Sequence, residues 1–458
     1  MGWSPIFTQD DAYIVQHSVE NIINLSNEKI FIDSNSNSGL TSLLHVSLIS
    51  LLSLFINIGW SQFIIASLAY TAFLILVFYY SEKVNRNTWV SSAITIVAAL
   101  SGSLVIQTYN GLETILVVFC VLLILYVFRD GTPKNKLYFI LLPIIPFIRP
   151  ELAFLSFIIL FRAFFSIKKY GNISELKKII MILAISSIVL VLYSILMTES
   201  IIPNTAGAKK YFFIEACRNS NEKFSLIING IREFIISLNY LSLGFLFILF
   251  SRYKFVFISF AAIFYSLYYF ELPGGVYHNI FRYQYVFYSF AVVGLIEFLA
   301  LDKIKIHSVC IAFFIFLPSI LSINKQVDHF KAILEFTKNE LFVVGAWVRD
   351  NIDKNEVILI HDAGVISTVA RNRLVDLVGL KTNTSVEINK DKKWSQCENS
   401  PEAIDTIASK YNIKYFIVLD HWDNLFQLTN ALKHTNWSVQ RVDNERGDTP
   451  YKVYKISK

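Results

Sequence analysis

The sequence predicts a polytopic α-helical membrane protein that carries a C-terminal α/β domain outside the bilayer. Charge is the first observation behind this: Asp, Glu, Lys and Arg make up 17% of the 458 residues, against about 25% in an ordinary soluble domain. Apolar runs are the second. FIIASLAYTAFLILVFYY, TILVVFCVLLILYVF and MILAISSIVLVLYSILM are long enough, at about 1.5 Å per residue, to cross a hydrocarbon core of about 30 Å, and the mean hydropathy is +0.50. The third is a change of character near residue 324, beyond which short strand-like runs and a capped helix replace the long apolar windows.

Taken in order, the windows predict about ten crossings, near 62–80, 90–107, 112–128, 137–149, 152–167, 179–198, 240–251, 254–271, 284–301 and 304–323. The loops alternate. SEKVNRN, RDGTPKNK, KKYGNISELKK, SRYK and LDKIK are short and basic, whereas YNGLET, RPE, the stretch 199–239 and ELPGGVYHNIFR are not. The positive-inside rule makes the first set cytoplasmic and the second extracytoplasmic. Residues 1–61 and 324–458 then both face outward, and an outward N-terminus implies one further helix upstream of Met1. The window 38–59 would break the parity if it crossed. Its serines, His45 and Asn57 make it a juxtamembrane or half-inserted helix on the outer face.

The net charge of +6 is scattered over short loops rather than gathered in a stripe, which fits membrane topology and not nucleic-acid binding. Cys120 and Cys310 lie in apolar runs. Cys217 and Cys397 lie in polar segments and are able to pair if both face an oxidising compartment. Charges at membrane depth are costly and usually face a cavity or a partner. Arg149 and Glu151, after the proline-broken LYFILLPIIPFI, either pin two helices by a salt bridge or border such a cavity.

In the C-terminal domain VILIHDAG, RLVDLVGL, YFIVLD and YKVYKIS read as strands, and SPEAIDTIASKYN reads as a helix with a Ser cap and Pro in its first turn. His361, Asp362 and Asp376 end strand-like runs, where binding residues tend to sit. The domain has no nucleophile elbow, phosphate-binding loop or zinc motif. It is expected to position an acceptor and to perform no chemistry itself; the plainer alternative makes DAG a tight strand-to-helix turn.

The acidic pair in FTQDDAYIVQH, followed by a Ser- and Asn-rich loop, resembles the first outer loop of GT-C superfamily glycosyltransferases. With GLET (111–114), RPE (149–151), IPNT followed by Lys209, then Arg282 and HDAG…LVDLVGL (361–380), the order of motifs is similar to that of the terminal (β-1,2) arabinofuranosyltransferases of mycobacterial cell-wall synthesis. The chain departs from that pattern in lacking a first transmembrane helix and in reading NSNSGLTSLL where relatives often place an aromatic residue.

The resemblance implies inverting transfer of one sugar, arabinofuranose in that family, from a polyprenyl-phosphate donor to a hydroxyl on an extracytoplasmic glycan, lipopolysaccharide or protein. It also implies a monomer in the inner membrane with its site facing the periplasm. Asp10 would be the base. Asp11 would hold hydroxyls or help bind a divalent cation such as Mg²⁺ or Ca²⁺, oxygen ligands being what those ions take. Lys209, Lys210, Arg282 and His278, with Glu113, Arg149, Glu151 and Asn204, would surround the donor and its phosphate.

The chemistry agrees independently. The acceptor hydroxyl needs a carboxylate in reach, and a phosphate leaves as a stable anion that wants positive charge and no general acid. Plainer readings stand beside these. The Asp pair is well placed to cap the helix that follows it, Glu113 to begin a helix, and Tyr277 and Trp60 to belong to an interfacial aromatic belt. A transporter of a lipid-linked sugar would share the helices and the cations but needs neither the acidic pair nor a large outer domain.

Overall fold

A computed structural model describes residues 4–35, 37–130, 137–170, 173–198, 204–301, 307, 314 and 317–458. Its helices follow the apolar windows. In chain order they are α1 (Asp11–Ile23), α2 (Leu43–Ser53), α3 (Ile58–Asn85), α4 (Thr88–Leu100), α5 (Leu104–Thr108), α6 (Thr114–Val127), α7 (Tyr138–Ile148), α8 (Leu152–Tyr170), α9 (Ile173–Thr198), α10 (Asn204–Phe213), α11 (Ser220–Ser237), α12 (Leu243–Ile248), α13 (Lys254–Glu271) and α14 (Tyr288–Leu299). Among the described residues α3 and α13 are long and apolar enough to cross a membrane, and several shorter apolar helices accompany them. The expected crossing at 304–323 lies mostly outside the described residues.

Two expectations change, and a third, for the window 38–59, agrees. The window 90–107 is not one helix: α4 stops at Ser101 and α5 starts again at Leu104, with Gly102 at φ +61 between them. The stretch 199–239, read as a loop, contains α10 and α11; α11 is amphipathic, turning Ile227, Gly230 and Phe234 inward. The window 38–59 forms α2, only eleven residues long, which at about 1.5 Å per residue is too short to cross. Its N-cap Ser42 accepts from the His45 N–H, and it packs on α1, α3 and α7.

The prolines of α7 show how an apolar environment forces repair. Pro146 has no N–H to give to the Leu142 carbonyl four residues back, and Leu142 is fully buried, so that carbonyl has no water to turn to. The Ser156 hydroxyl of α8 donates to it at 2.9 Å, and Ser186 of α9 donates to the Pro143 carbonyl. Glycines bring α12 and α14 into backbone contact: a Cβ on Gly244 would lie 1.8 Å from the Ala291 carbonyl oxygen, so only glycine fits there.

The C-terminal domain is a five-stranded sheet of β1 (Val357–Ile360), β2 (Arg373–Asp376), β3 (Tyr415–Leu419), β4 (Ser438–Arg441) and β5 (Tyr451–Ser457), in the order β2-β1-β3-β5-β4. β1 runs parallel to β2 and β3, and β5 runs antiparallel to β3 and β4. The predicted helix is Pro401–Lys410, with Ser400 as its cap. β4, exposed and apolar at only one position, was invisible to periodicity.

The largest departure is the N-terminal segment, which is not a free loop. Phe7, Tyr13, Ile14, Val19, Ile30 and Phe31 are buried in one core with the sheet domain, separate from the core between the long helices. Leu374 of β2 donates to the Ile30 carbonyl at 2.8 Å, and its own carbonyl accepts from Ile32 at 3.0 Å, so the segment pairs with the outer edge of the sheet. Cys217, just after α10, is disulfide-bonded to Cys397 of the domain.

Glu28 anchors the same junction from inside. It accepts from Asn21 and from the N–H groups of Ile30 and Phe31, and it meets His17 at 2.9 Å and Lys381 at 3.5 Å. Burial alone would raise its carboxyl, but the His17 hydrogen bond, Lys381 and the Phe31 N–H outweigh that and bring it from 4.5 to about 2. A lowered folded value stabilises the fold above the unfolded value, here by on the order of 3 kcal/mol, and the contribution drains away as pH falls from about 4.5 to about 2. Glu28→Gln should therefore lower thermal stability at pH 7 and lose most of that deficit near pH 2–3 (an estimate from the same linkage), as measured by parallel melts in detergent.

Candidate active site

The two cores meet at a partly open cavity. Asp11 and Ile14 of α1, Gly39–Ser42 of the following loop, His45 and Val46 of α2, Leu112 and Glu113 before α6, Thr205 and Lys209 of α10, then Arg282, Tyr283 and Leu380 line it. Arg282 is the hub. Its Nη2 donates to both oxygens of Glu113 at 2.8 Å, and its Nη1 donates to Asp11 Oδ2 at 3.3 Å. Arg149 Nε lies 3.9 Å from Glu113 and its guanidinium pairs with Glu151.

A strained turn aims these groups. Between α13 and α14 the chain passes through Asn279, Ile280 and Phe281 at φ 48, 58 and 62, left-handed conformations that cost energy in any residue with a Cβ. Gln107 Nε2 holds the turn by donating to the carbonyls of Asn279 and Ile280 at 2.8 and 2.9 Å. His278 and Arg282 leave its two ends toward the cavity, joined by Asn279 Nδ2, 3.4 Å from Asp11 Oδ2.

Lys209 Nζ donates to Tyr283 Oη and meets His278 Nε2, both at 2.9 Å. Burial and the Lys209 charge lower His278 to about 4, so the neutral ring accepts from the ammonium. Tyr283 stacks on His278 at 5.4 Å, while Arg149, Lys209 and Arg282 approach its ring at 4.7, 5.4 and 5.6 Å. The phenol face thus gathers positive charge around one point.

The adjacent acids have opposite surroundings. Burial would raise Asp11, but Lys209, His278 and Arg282 hold it far below the usual carboxylate range. Among the described residues no cation pairs with Asp10. Its two oxygens accept from the backbone N–H groups of Gly364 and Val365 at 2.7 Å each. Burial and the nearby Asp362 raise it well above the usual range in spite of those bonds. Asp10 occupies the N-cap position of α1, yet its side chain caps nothing there. It caps the short helix Val365–Ala370 of the sheet domain instead. A Cβ on Gly364 would sit 1.9 Å from the Asp10 carbonyl oxygen, so HDAG is a turn that only glycine closes against the N-terminal segment.

The structure brings Asp11, Glu113, Lys209 and Arg282 together in the lining, with His278 and Arg149 against them and Glu151 behind Arg149; Asp10 is outside the lining. It does not bring Lys210, Asn204, His361, Asp362 or Asp376 into it. About 100° of helix turn separates Lys210 from Lys209, so its amine pairs with Glu271 at 2.5 Å and covers the Trp394 ring. Asn204 donates to the Gly379 carbonyl and to Asn383, fastening α10 to the domain. Asp376 is fully buried and accepts from the N–H groups of Val378 and Lys381, which shape the turn after β2. His361 packs against Trp422, 3.0 Å from Asp362, which Tyr451 hydroxyl also meets. Sequence reasoning missed Tyr283 and His45. Tyr283 stands beside Arg282 among many aromatic residues, with no periodic signal of its own.

Among the described residues no three His, Cys, Asp or Glu side chains are grouped to hold a metal ion. At the acidic pair Asn279, His278 and Arg282 all approach Oδ2 of Asp11, and one backbone N–H group donates to each oxygen of Asp10.

Residues 331–454 match a family model described as a domain of unknown function, DUF8728. No curated protein matches the sequence. Among solved structures the chain is similar to ArnT from Cupriavidus metallidurans, bound to undecaprenyl phosphate (TM-score 0.52) and in the apo state (TM-score 0.53). In each case the identity is 10%, and 99% of this chain aligns with 94% of that one. Arabinofuranosyltransferase AftD from Mycobacteria aligns with 99% of this chain at 12% identity, but over 38% of its own length and at a TM-score of 0.47, too loose a likeness to carry an argument. The chain shares the fold of the ArnT structures.

Removing Arg282 would leave only Arg149, 3.9 Å away, beside the buried Glu113 charge, and breaking a buried pair typically costs about 3–5 kcal/mol. Arg282→Met should lower thermal stability accordingly, and Arg282→Met/Glu113→Gln should recover much of it; melting of the four proteins of the cycle measures the coupling.

Proposed function

We propose that this chain is a glycosyltransferase that moves one sugar from a polyprenyl-phosphate donor to an acceptor hydroxyl outside the membrane, with inversion. The observation that carries the proposal is the separation of charge at the cavity: cations converge on one wall, while a carboxylate of raised pKa stands apart from them. ArnT, which shares the fold, binds undecaprenyl phosphate, and this supports a donor of that class. The Cys217–Cys397 disulfide supports an oxidising, outward location for α10 and the sheet domain.

In-line displacement requires the base and the leaving phosphate on opposite sides of the anomeric carbon. Arg282 and Lys209, the latter backed by neutral His278, supply positive charge for the phosphate as it departs. Asp11 lies among those cations and neutralises them until the donor's phosphate takes its place, which makes it a poor proton acceptor. Asp10 lies away from them. A raised carboxyl pKa suits a general base, whose efficiency peaks when its pKa approaches the working pH. Glu113 fixes Arg282 in place. Fixed side chains thereby do the work for which a divalent cation would otherwise be recruited. Arabinofuranose is the first sugar to test, on the resemblance of the motifs.

With a panel of synthetic polyprenyl-phosphate sugars, Asp10→Asn should cut turnover about 10²–10⁴-fold while donor binding is kept. Asp11→Asn should keep or tighten binding of undecaprenyl phosphate, because the anion that competes for Arg282 and Lys209 is gone. The acid limb of the wild-type rate should fall at a pH above the ordinary carboxylate range, since protonating Asp10 removes the base. EDTA should leave transfer unchanged. Full turnover by Asp10→Asn, or movement of lipid-linked sugar across vesicles without transfer, would overturn the reading.

A further inference from the structure

A second, partly open pocket lies between α10 and the sheet domain, lined among others by Phe212, Leu377, Asn389, Lys393, Ser400 and Phe426. Lys393 is only 4% exposed. Its ammonium lies 4.1 Å from the centre of the Phe212 ring and 5.5 Å from that of Phe426, with no carboxylate paired to it among the described residues. Burial, unopposed by any neighbouring charge, lowers it to about 8. Asn389, one helical turn earlier, gives its Nδ2 to the Leu377 carbonyl at 2.9 Å, and its Oδ1 is buried with no donor to meet it.

A buried ammonium without a counter-ion and a buried amide oxygen without a donor are each costly. Both line one pocket, and together they describe its missing occupant. That occupant carries an anionic group for Lys393, a hydroxyl for Asn389 Oδ1 and an apolar face for the Phe426 ring. A sugar bearing a carboxylate or a phosphate has all of these. The pocket also adjoins the catalytic cavity. Lys209 and Phe212, three residues and about 4.5 Å apart along α10, line the first and the second respectively. Leu380 and Leu377, from one turn, do the same.

We propose that this pocket binds an anionic sugar unit of the acceptor glycan, one unit or so from the hydroxyl that reacts, with Lys393 on the acidic group and Asn389 on a ring hydroxyl. The assignment of the ligand to an acceptor rests on the transferase reading above; the pocket itself does not.

The test uses the full chain in detergent, wild type beside Lys393→Met, titrated with methyl glucuronide, glucose 6-phosphate, methyl glucoside and inorganic phosphate and followed by ligand-observed NMR. At least one acidic sugar should bind the wild type and weaken tenfold or more in Lys393→Met, which should fold and melt no lower because an unpaired buried charge has been removed. Glucuronide binding alone would identify a uronate, and glucose 6-phosphate binding alone a phosphorylated unit. Equal binding of methyl glucoside, equal binding of inorganic phosphate, or unchanged affinity in Lys393→Met would overturn the proposal. Undecaprenyl phosphate binding, measured on the same samples, separates the two ideas. Donor binding with no acidic-sugar binding overturns the pocket alone, and the reverse overturns the transferase reading while leaving the pocket.

Discussion

The pairing of Arg282 with Glu113 and Asp11 is the interaction on which the rest of the site depends. A guanidinium buried at the junction of two cores is tolerable only with its charge matched and its donors used. Glu113, at the start of α6, matches it bidentately, and Asp11, at the start of α1, takes a further N–H. Glu113 borders the core between the long helices and Asp11 the core shared with the sheet domain, so the ion pair sets the registry between them. The left-handed turn at Asn279–Phe281 is held by Gln107 from α5, and it delivers Arg282 to that position. Local backbone cost is thus offset by a buried charge network that exists only when the turn is formed.

Two carboxylates adjacent in sequence acquire opposite properties because about 100° of helix separates them. Asp11 turns toward Lys209 and Arg282 and is held ionised. Asp10 turns toward the sheet domain, meets Asp362 and two backbone N–H groups, and is pushed the other way. Environments that drive like groups apart in pKa are how one site separates charge compensation from proton transfer.

The sheet domain is not an appendage. Its sheet edge pairs with Ile30–Ile32, its turn at Gly364 receives Asp10, and Glu28 from the N-terminal segment meets its Lys381. α10 is fastened to it by Asn204 and, just past its end, by the Cys217–Cys397 disulfide. The wall of the cavity that carries Lys209 is therefore fixed to the sheet domain.

The sequence by itself determined the apolar helices, the outer α/β domain, most of its strands, the Ser400 cap and the acidic pair. Each is a local matter of hydropathy, period or capping, which neighbours in the chain suffice to express. Only the tertiary structure decided that Lys209 enters the cavity while Lys210 leaves it, that Tyr283 gathers the cations, and that Asp376 shapes a turn instead of a binding edge. It also decided that Asp10 caps a helix some 354 residues away in sequence. These outcomes turn on which atoms meet across elements distant in the chain, and on how burial and nearby charge act on them once they meet. Composition and spacing carry no record of either.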